Sequence, residues 1–176
     1  QYYNVTDNIT SPVCYDGNDG SINITVSGGM PPYSFSWSNG ATTEDIAGLF
    51  AGTYTVVITD NLMAEDTMIT FTVTNPFQIT FNVSVVSPNC NGNDGSAQAN
   101  SFVGGIPPFE FQWSSGDTLA DADSLSAGIY MVVVTDTNGC SSSQTFGVNN
   151  TTSLGISAVV TNASCQGVFD GDIDLT

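Results

Sequence analysis

The sequence has no Lys, no Arg and no His, while 17 of its 176 residues are Asp or Glu, so the formal net charge is −17. Because it offers nothing to neutralise phosphate groups, this composition argues against nucleic-acid binding and against anionic membranes. Catalysis also loses its commonest general base, its Schiff-base amine and its guanidinium clamps. Carboxylate chemistry and oxygen-ligated metal binding remain open, and calcium is the natural counter-charge.

Long apolar runs and helical periodicity are absent as well. No apolar run approaches the roughly 18 residues of a membrane span, so we expect no direct membrane insertion. Fourteen of the 17 acids are Asp, and Asp, Asn, Gly, Ser and Thr dominate the polar positions, which favours turns and strands over helices. With 40% hydrophobic residues, the chain can nevertheless bury a core.

The chain repeats itself. GGMPPYSFSW (residues 28–37) recurs as GGIPPFEFQW (104–113), and LFAGTYTVVITD (49–60) recurs as LSAGIYMVVVTD (125–136), each 76 residues later. Self-similarity at a fixed period is the signature of a repeat array. The sequence therefore predicts tandem copies of one module.

Three cysteines give the alignment of the copies. Cys14, Cys90 and Cys165 each precede an acidic turn, at spacings of 76 and 75 residues. Alignment on these cysteines predicts two complete copies and the beginning of a third, over residues 1–76, 77–151 and 152–176. We expect the chain to be part of a longer array of such copies.

Within each copy, apolar and polar residues alternate. Ile22, Ile24 and Val26 alternate with polar residues, and so do the aromatic runs that end at Trp37 and Trp113. A period of two, bounded by Gly, Pro, Asn or Asp, predicts half-buried strands, and short strands at this spacing predict an all-β sandwich. We therefore predict that Trp37 and Trp113 are structural core residues; a sugar-binding platform of aromatics is the alternative.

The pattern L-x-x-G-x-Y occurs once in each copy and ends at Tyr54 and Tyr130. It resembles the tyrosine corner of immunoglobulin-like domains, in which the phenol hydroxyl bonds to nearby backbone. We predict that both tyrosines are structural latches rather than catalytic groups.

The ordered set C-x-G-x-D-G-S, G-G-x-P-P-[YF]-x-F-x-W, L-x-A-G-x-Y-x-V-x-[IV]-T-D and N-G-C resembles the SprB repeat, named after a large surface adhesin of gliding bacteria in the Bacteroidota. The resemblance covers both copies and the start of the third. It implies tandem immunoglobulin-like or PKD-like β-sandwich repeats. It also implies export to the cell surface, typically through the type IX pathway, and a place in a long adhesive or filamentous polypeptide.

The resemblance also implies a second cysteine after the last T-D of each copy. The second copy has it as Cys140, whereas Ala64 stands at that place in the first. Four cysteines allow three pairings, and the repeat register favours a disulfide between Cys90 and Cys140. Cys165 would then pair beyond the given sequence, and Cys14 would be free or cross-linked elsewhere. A disulfide suits an extracellular setting.

The acidic turns permit two interpretations. Short oxygen-bearing side chains before Gly resemble calcium loops, and they also make good turns without any metal. The candidate calcium ligands are Asp16, Asn18, Asp19, Asp94 and Asp170. Because a surface this anionic repels itself, divalent ions at the junctions between copies would relieve the repulsion.

Paired carboxylates also raise the question of glycoside hydrolysis. Asp121 and Asp123, with Asp117 nearby, are the obvious candidates, but they lie in a Gly-, Ser- and Ala-rich loop without signs of a deep cleft. We therefore predict that the chain is not an enzyme.

Three segments match a D-[ST]-aliphatic pattern used for O-glycans in Bacteroidota. Their hydroxyl residues are Thr67, Thr118 and Ser124. The pattern is short, so each is a candidate O-glycosylation site only.

The sequence thus predicts non-enzymatic stalk repeats of a secreted surface adhesin, whose partners are neighbouring repeats of the same chain. The segment NPF (75–77) is predicted to be a tight junction, because Pro76 restricts the hinge. Two alternatives remain: repeats that bind polysaccharide or other surface ligands with calcium, and a self-assembling extracellular fibre in which strands cross between chains.

Overall fold

The computed structural model describes residues 4–61, 66–89 and 92–150, together with the backbone of 158–161 and 172–175. The described residues form fourteen β-strands: β1 (Asn4–Thr10), β2 (Gly20–Ser27), β3 (Ser34–Trp37), β4 (Ile46–Leu49), β5 (Gly52–Thr59), β6 (Thr67–Val73), β7 (Thr80–Val86), β8 (Gly95–Val103), β9 (Glu110–Trp113), β10 (Asp121–Leu125), β11 (Gly128–Thr135), β12 (Ser141–Val148), β13 (Ala158–Thr161) and β14 (Asp172–Leu175). A search of these residues finds no helix that is both long and apolar enough to cross a membrane.

The first twelve strands form four antiparallel sheets of three strands each. Strands β1-β2-β4 and β3-β5-β6 make the first pair of sheets, and β7-β8-β10 and β9-β11-β12 make the second. Every pairing in the first pair recurs six strands later, and β13 pairs with β14. The fold is therefore all-β, with two immunoglobulin-like sandwiches of the same topology, as the alternation predicted. The boundaries placed after residues 76 and 151 stay predictions.

Each sandwich has its own hydrophobic core, to which both of its sheets contribute. The buried residues of the first core are Ile22, Ile24, Trp37, Ile46, Leu49, Val56, Ile58, Phe71 and Val73. Those of the second core are Ile79, Ala97, Ala99, Trp113, Ala122, Leu125, Val132, Val134 and Val148. Burying each large side chain contributes roughly 2–3 kcal/mol, so the two cores are separate sources of stability.

The two tryptophans occupy equivalent positions in these cores. Trp37 and Trp113 are each 3% exposed. The Trp37 indole donates a hydrogen bond to the Thr43 carbonyl oxygen (2.8 Å), and the Trp113 indole donates one to the Leu119 carbonyl oxygen (2.7 Å). A buried indole needs such a partner, and each copy supplies it from the residue six places further along.

The cores differ in how they fill their volume. Three isoleucines of the first core correspond to alanines in the second: Ile22, Ile24 and Ile46 against Ala97, Ala99 and Ala122. In the second copy, Phe102 packs against the core, and its ring stacks on Phe109 with centroids 4.8 Å apart and on Phe81 at 5.8 Å. The apolar pattern is kept while individual side chains change.

A β-bulge in the second copy compensates for a loop that is one residue shorter than in the first. The cysteine loop of the second copy is one residue shorter, so Asp19 and Asp94 are 75 residues apart rather than 76. The lost residue is regained in β8, where Ser101 has a φ of 57° and the pairing with β7 shifts register. A β-bulge inserts one residue into one strand of a pair, which restores the 76-residue spacing before the Gly-Gly-x-Pro-Pro loop.

A second bulge recurs in both copies, next to the ends of β4 and β10. Gly48 has a φ of 72°, and Ser124 has a φ of 59° at the matching place. The left-handed region costs a residue with a side chain roughly 1–2 kcal/mol. The first copy avoids this cost with glycine, and the second accepts it.

We expect Gly48→Ala to lower the free energy of unfolding by about 1 kcal/mol, because the methyl group makes the left-handed backbone unfavourable. A Cβ at this position would meet nothing closer than the Asn18 carbonyl oxygen at 3.9 Å, so crowding does not contribute. Gly52→Ala, in the same copy but without a positive φ, is the matched control and should not destabilise. Urea denaturation measures both; equal effects would contradict the backbone explanation.

Candidate functional site

A disulfide joins the two sandwiches. Cys14 lies in the loop after β1, and Cys140 lies at the end of the turn between β11 and β12. Their sulfur atoms are bonded, their Cα atoms are 5.3 Å apart, and 126 residues separate them along the chain. The bond therefore connects the first copy to the second rather than closing a loop within one copy.

This pairing corrects the predicted disulfide between Cys90 and Cys140. Cys90 lies outside the described residues. A cysteine forms a single disulfide, so the bond between Cys140 and Cys14 excludes the predicted one. Cys14, predicted to be free or cross-linked elsewhere, is the partner of Cys140.

Asp136 fixes the turn that carries Cys140. Its side chain is 6% exposed and accepts three backbone hydrogen bonds: from Ile106 (3.0 Å), Asn138 (2.9 Å) and Cys140 (2.9 Å). The same carboxylate thus ties the Gly-Gly-Ile-Pro-Pro loop to the cysteine turn. In the first copy, Asp60 accepts the backbone N–H of Met30 at 3.0 Å, which is the matching contact.

The linker between the copies is fastened to the Cys14 loop. The Asn75 side chain accepts the backbone N–H of Asp16 (3.1 Å) and donates to the Asp16 carboxylate (3.0 Å). The hydroxyls of Ser11 and Thr74 are 2.9 Å apart. These polar contacts therefore fix the start of the linker on the first copy, next to the cysteine that forms the disulfide.

A cleft of about 650 Å³ lies at this joint. Its lining comes from the Cys14 loop, the linker, the Gly-Gly-Ile-Pro-Pro loop and the cysteine turn. Two aromatic side chains on it are open to solvent: Tyr15 is 44% exposed and Phe77 is 86% exposed. The cleft combines these aromatics with polar groups of Asp16, Asp136 and Asn138.

The acidic turns use their carboxylates to close the turns themselves. Asp19 accepts the backbone N–H of Val13 with both oxygens at 3.2 Å, and Asp94 accepts the backbone N–H (2.9 Å) and the side-chain amide (2.6 Å) of Asn89. The Asn89 side chain, followed by its backbone N–H, lowers the pKa of Asp94 below its ordinary value.

The candidate calcium ligands do not converge within the described part of the chain. Asp16 is paired with Asn75, Asp19 and Asp94 close separate turns, and Asp170 lies outside the described residues. Asn18 occupies the turn between Asp16 and Asp19. Over residues 4–61, 66–89 and 92–150, no three Asp, Glu, His or Cys side chains lie close enough to hold a metal ion.

Both tyrosines make a bond to backbone four residues earlier. The Tyr54 hydroxyl donates to the Phe50 carbonyl oxygen (3.0 Å), and the Tyr130 hydroxyl donates to the Ser126 carbonyl oxygen (3.1 Å). The two bonds tie the start of β5 and of β11 to the preceding corner in the same way.

The remaining candidates are exposed or half-buried. Asp121 and Asp123 are exposed, and Asp121 accepts a hydrogen bond from Gln98 at 2.7 Å. Asp117 accepts one from the Ser115 hydroxyl at 2.8 Å. Of the three candidate glycosylation sites, Thr118 and Ser124 are exposed, and Thr67 is half-buried at the start of β6.

The sheets, cores and tyrosine bonds define the class of the chain as tandem immunoglobulin-like β-sandwich repeats. Residues 6–42 and 82–118 both match the family model described as SprB repeat. The resemblance to the SprB repeat that the motifs indicated is thus confirmed over these two segments, one in each copy. None of the curated proteins compared with the chain matches it.

Three solved structures are similar to the chain at low identity. The three N-terminal domains of the highly immunogenic outer capsid protein (Hoc) of bacteriophage RB49 are 16% identical, with a TM-score of 0.46 over 92% of this chain and 62% of that one. The eight N-terminal immunoglobulin domains of Down syndrome cell adhesion molecule isoform 1.30.30 are 15% identical, with a TM-score of 0.38 over 85% of this chain and 25% of that one. Murine CEACAM1b is 14% identical, with a TM-score of 0.32 over 84% of this chain and 100% of that one. The fold assignment rests on the sheets described above rather than on these alignments.

Two residues at the junction were not singled out from the sequence. Asp136 belongs to the recurring T-D that ends LSAGIYMVVVTD, and this recurrence was a signal for a structural role. Asn75 precedes Pro76 in the linker. The sequence assigned a role to the proline alone and gave no sign that the Asn75 side chain bonds to Asp16.

We expect Asp136→Ala to lower the free energy of unfolding by about 3 kcal/mol, because three backbone N–H groups lose a charged acceptor. Asp123→Ala, an exposed carboxylate of the same copy, is the control and should change stability by less than about 0.5 kcal/mol. Guanidinium denaturation of the oxidised chain measures both. A loss below about 1 kcal/mol for Asp136→Ala would show that water replaces the carboxylate there.

Proposed function

We propose that these repeats are stalk segments of a secreted cell-surface adhesin, which extend and display adhesive regions in gliding or surface attachment. The observation that carries the proposal is the Cys14–Cys140 bond across the joint between two copies. The match of two segments to the SprB repeat supports the adhesin context, and the disulfide suits an extracellular location. Export through the type IX pathway belongs to the same proposal.

The joint is built to resist bending. A flexible linker alone would leave relative motion between domains as the default expectation. Here a covalent bond connects the two copies, and the contacts of Asn75 with Asp16 and of Ser11 with Thr74 fix the start of the linker on the first copy. Because each copy contacts mainly its neighbour, a series of such joints gives a quasi-linear rod.

The charge supports extension over lateral assembly. The chain has a net charge of −17 and no basic residue, so two chains side by side offer no cation to pair with. Like charges on one chain repel over a screening length of about 8 Å at physiological salt. This favours a separated, extended stalk over a self-assembling fibre, and bound calcium would moderate the repulsion.

The stalk proposal includes the absence of enzymatic activity. The candidate pair of carboxylates, Asp121 and Asp123, lies on the exposed face of β10, and Asp121 is engaged by Gln98. Glycoside hydrolysis needs two carboxylates that face each other across a bound sugar. Two exposed carboxylates two residues apart on one strand do not offer that arrangement.

Polysaccharide binding is the second candidate, and one observation favours it. Tyr15 and Phe77 are exposed aromatics on the cleft at the joint, and exposed aromatic faces beside hydrogen-bonding groups suit sugar rings. The two tryptophans do not contribute, because both are buried.

Small-angle X-ray scattering of the purified chain tests the stalk. We expect an extended, rigid particle for the oxidised chain and a more flexible one for the double variant Cys14→Ser, Cys140→Ser, because the disulfide across the joint is then lost and the linker alone connects the two copies covalently. Cys90→Ser is the matched control and should scatter like the unmodified chain. Equal flexibility in all three samples would reject a stiffened joint.

A glycan array, probed with and without a chelator, separates the two candidates. A stalk segment should give no signal in either condition. A signal that disappears in both Tyr15→Ala and Phe77→Ala, but persists in Phe50→Ala, an exposed aromatic outside the cleft, would replace the stalk with a sugar-binding role. Loss of that signal when the chelator is added would show that the binding depends on calcium.

A further inference from the structure

A tensile load on the two repeats enters at β1 and leaves at β12. Three residues, 11 to 13, separate the end of β1 from Cys14, and β12 begins directly after Cys140. Strands β2 to β11 all lie between the two cysteines along the chain. The disulfide thus connects the entering strand to the leaving strand and encloses the other ten strands in a covalent loop.

We propose that the Cys14–Cys140 bond is a load shunt. Tension passes along β1, through the disulfide and along β12, and it bypasses β2 to β11. The inference rests on the proposed stalk function for its biological use, but its mechanics depend only on the connectivity of this chain.

The two loaded strands, β1 and β12, can hardly be stretched further. A β-strand already rises about 3.3–3.4 Å per residue, close to the limit of roughly 3.3–3.6 Å for a stretched chain. Seven pairings with β2 hold β1 extended, and eight pairings with β11 hold β12 extended. The load pulls each strand at its two ends along its own axis, so it does not peel the strand from its neighbour.

The segments that carry the two cysteines are also fixed by hydrogen bonds. On one side, Asp19 closes the Cys14 loop onto Val13, and Asn75 holds Asp16. On the other side, Asp136 accepts the backbone N–H of Cys140 itself. Loading therefore reaches the sulfur atoms before the sheets are disturbed.

The proposal gives a length that can be measured. The 126 residues between the cysteines correspond to about 430 Å of stretched chain, at about 3.4 Å per residue. This length is hidden while the disulfide is intact and becomes available when the bond is removed. A bond between Cys90 and Cys140 would enclose 50 residues instead and hide only about 170 Å.

Single-molecule force spectroscopy of the full chain, held by tags at its two ends, tests the shunt with two variants that keep one cysteine pair each. Cys90→Ser with Cys165→Ser retains the junction pair, and Cys14→Ser with Cys165→Ser retains Cys90 and Cys140. The junction variant should gain about 430 Å of extension when a thiol reductant is added, whereas the second variant should not respond. The unmodified chain, pulled before and after reduction, repeats the test without any substitution.

Two results would overturn the shunt. One is full extension of the oxidised junction variant without reductant, and the other is a reductant-dependent gain of about 170 Å in the second variant. If the chain is a rigid rod by scattering yet shows either result, the stalk proposal stands and the load shunt is rejected. If the chain is flexible but shows the gain of about 430 Å, the load shunt stands and the stalk proposal is rejected.

Discussion

The bond between Cys14 and Cys140 is the constraint on which the arrangement of the two sandwiches depends. Their Cα atoms lie 5.3 Å apart although they belong to different copies, so a loop of one sandwich and a turn of the other must first be held close together. Asp136 holds the turn through three backbone hydrogen bonds, and Asn75 holds the loop through Asp16. Polar contacts within each copy fix the segment that carries its cysteine, and the disulfide joins the two segments.

The sequence was sufficient for those parts of the structure that depend on local periodicity. The alternation that ends at Trp37 and Trp113 places both indoles inside, because a strand sends successive side chains to opposite faces. The disulfide could not be found in this way, since register arguments compare positions within one copy and treat each copy as closed. Which ends of two copies meet depends on strand direction and on the course of the linker, and neither appears in a pattern of cysteines.

The acidic turns show a different limit of sequence reasoning. A calcium loop and a turn closed by a carboxylate require the same residues in the same order, so Asp19 and Asp94 are compatible with both. The difference lies in where the carboxylate points. Here each one accepts the backbone N–H of the residue at the start of its own loop, Val13 or Asn89, and this direction is decided by the course of the loop rather than by composition.

Ala64 acquires a meaning once the bond is known to run from one copy to the next. It stands at the place in the first copy that Cys140 holds in the second, so the first copy cannot accept a sulfur bridge on that side, whatever adjoins it. In the stalk that we propose, the covalent link at each junction would then depend on whether one position of a copy holds a cysteine. Exchange of that cysteine would remove the covalent link between two copies and leave only the linker to join them.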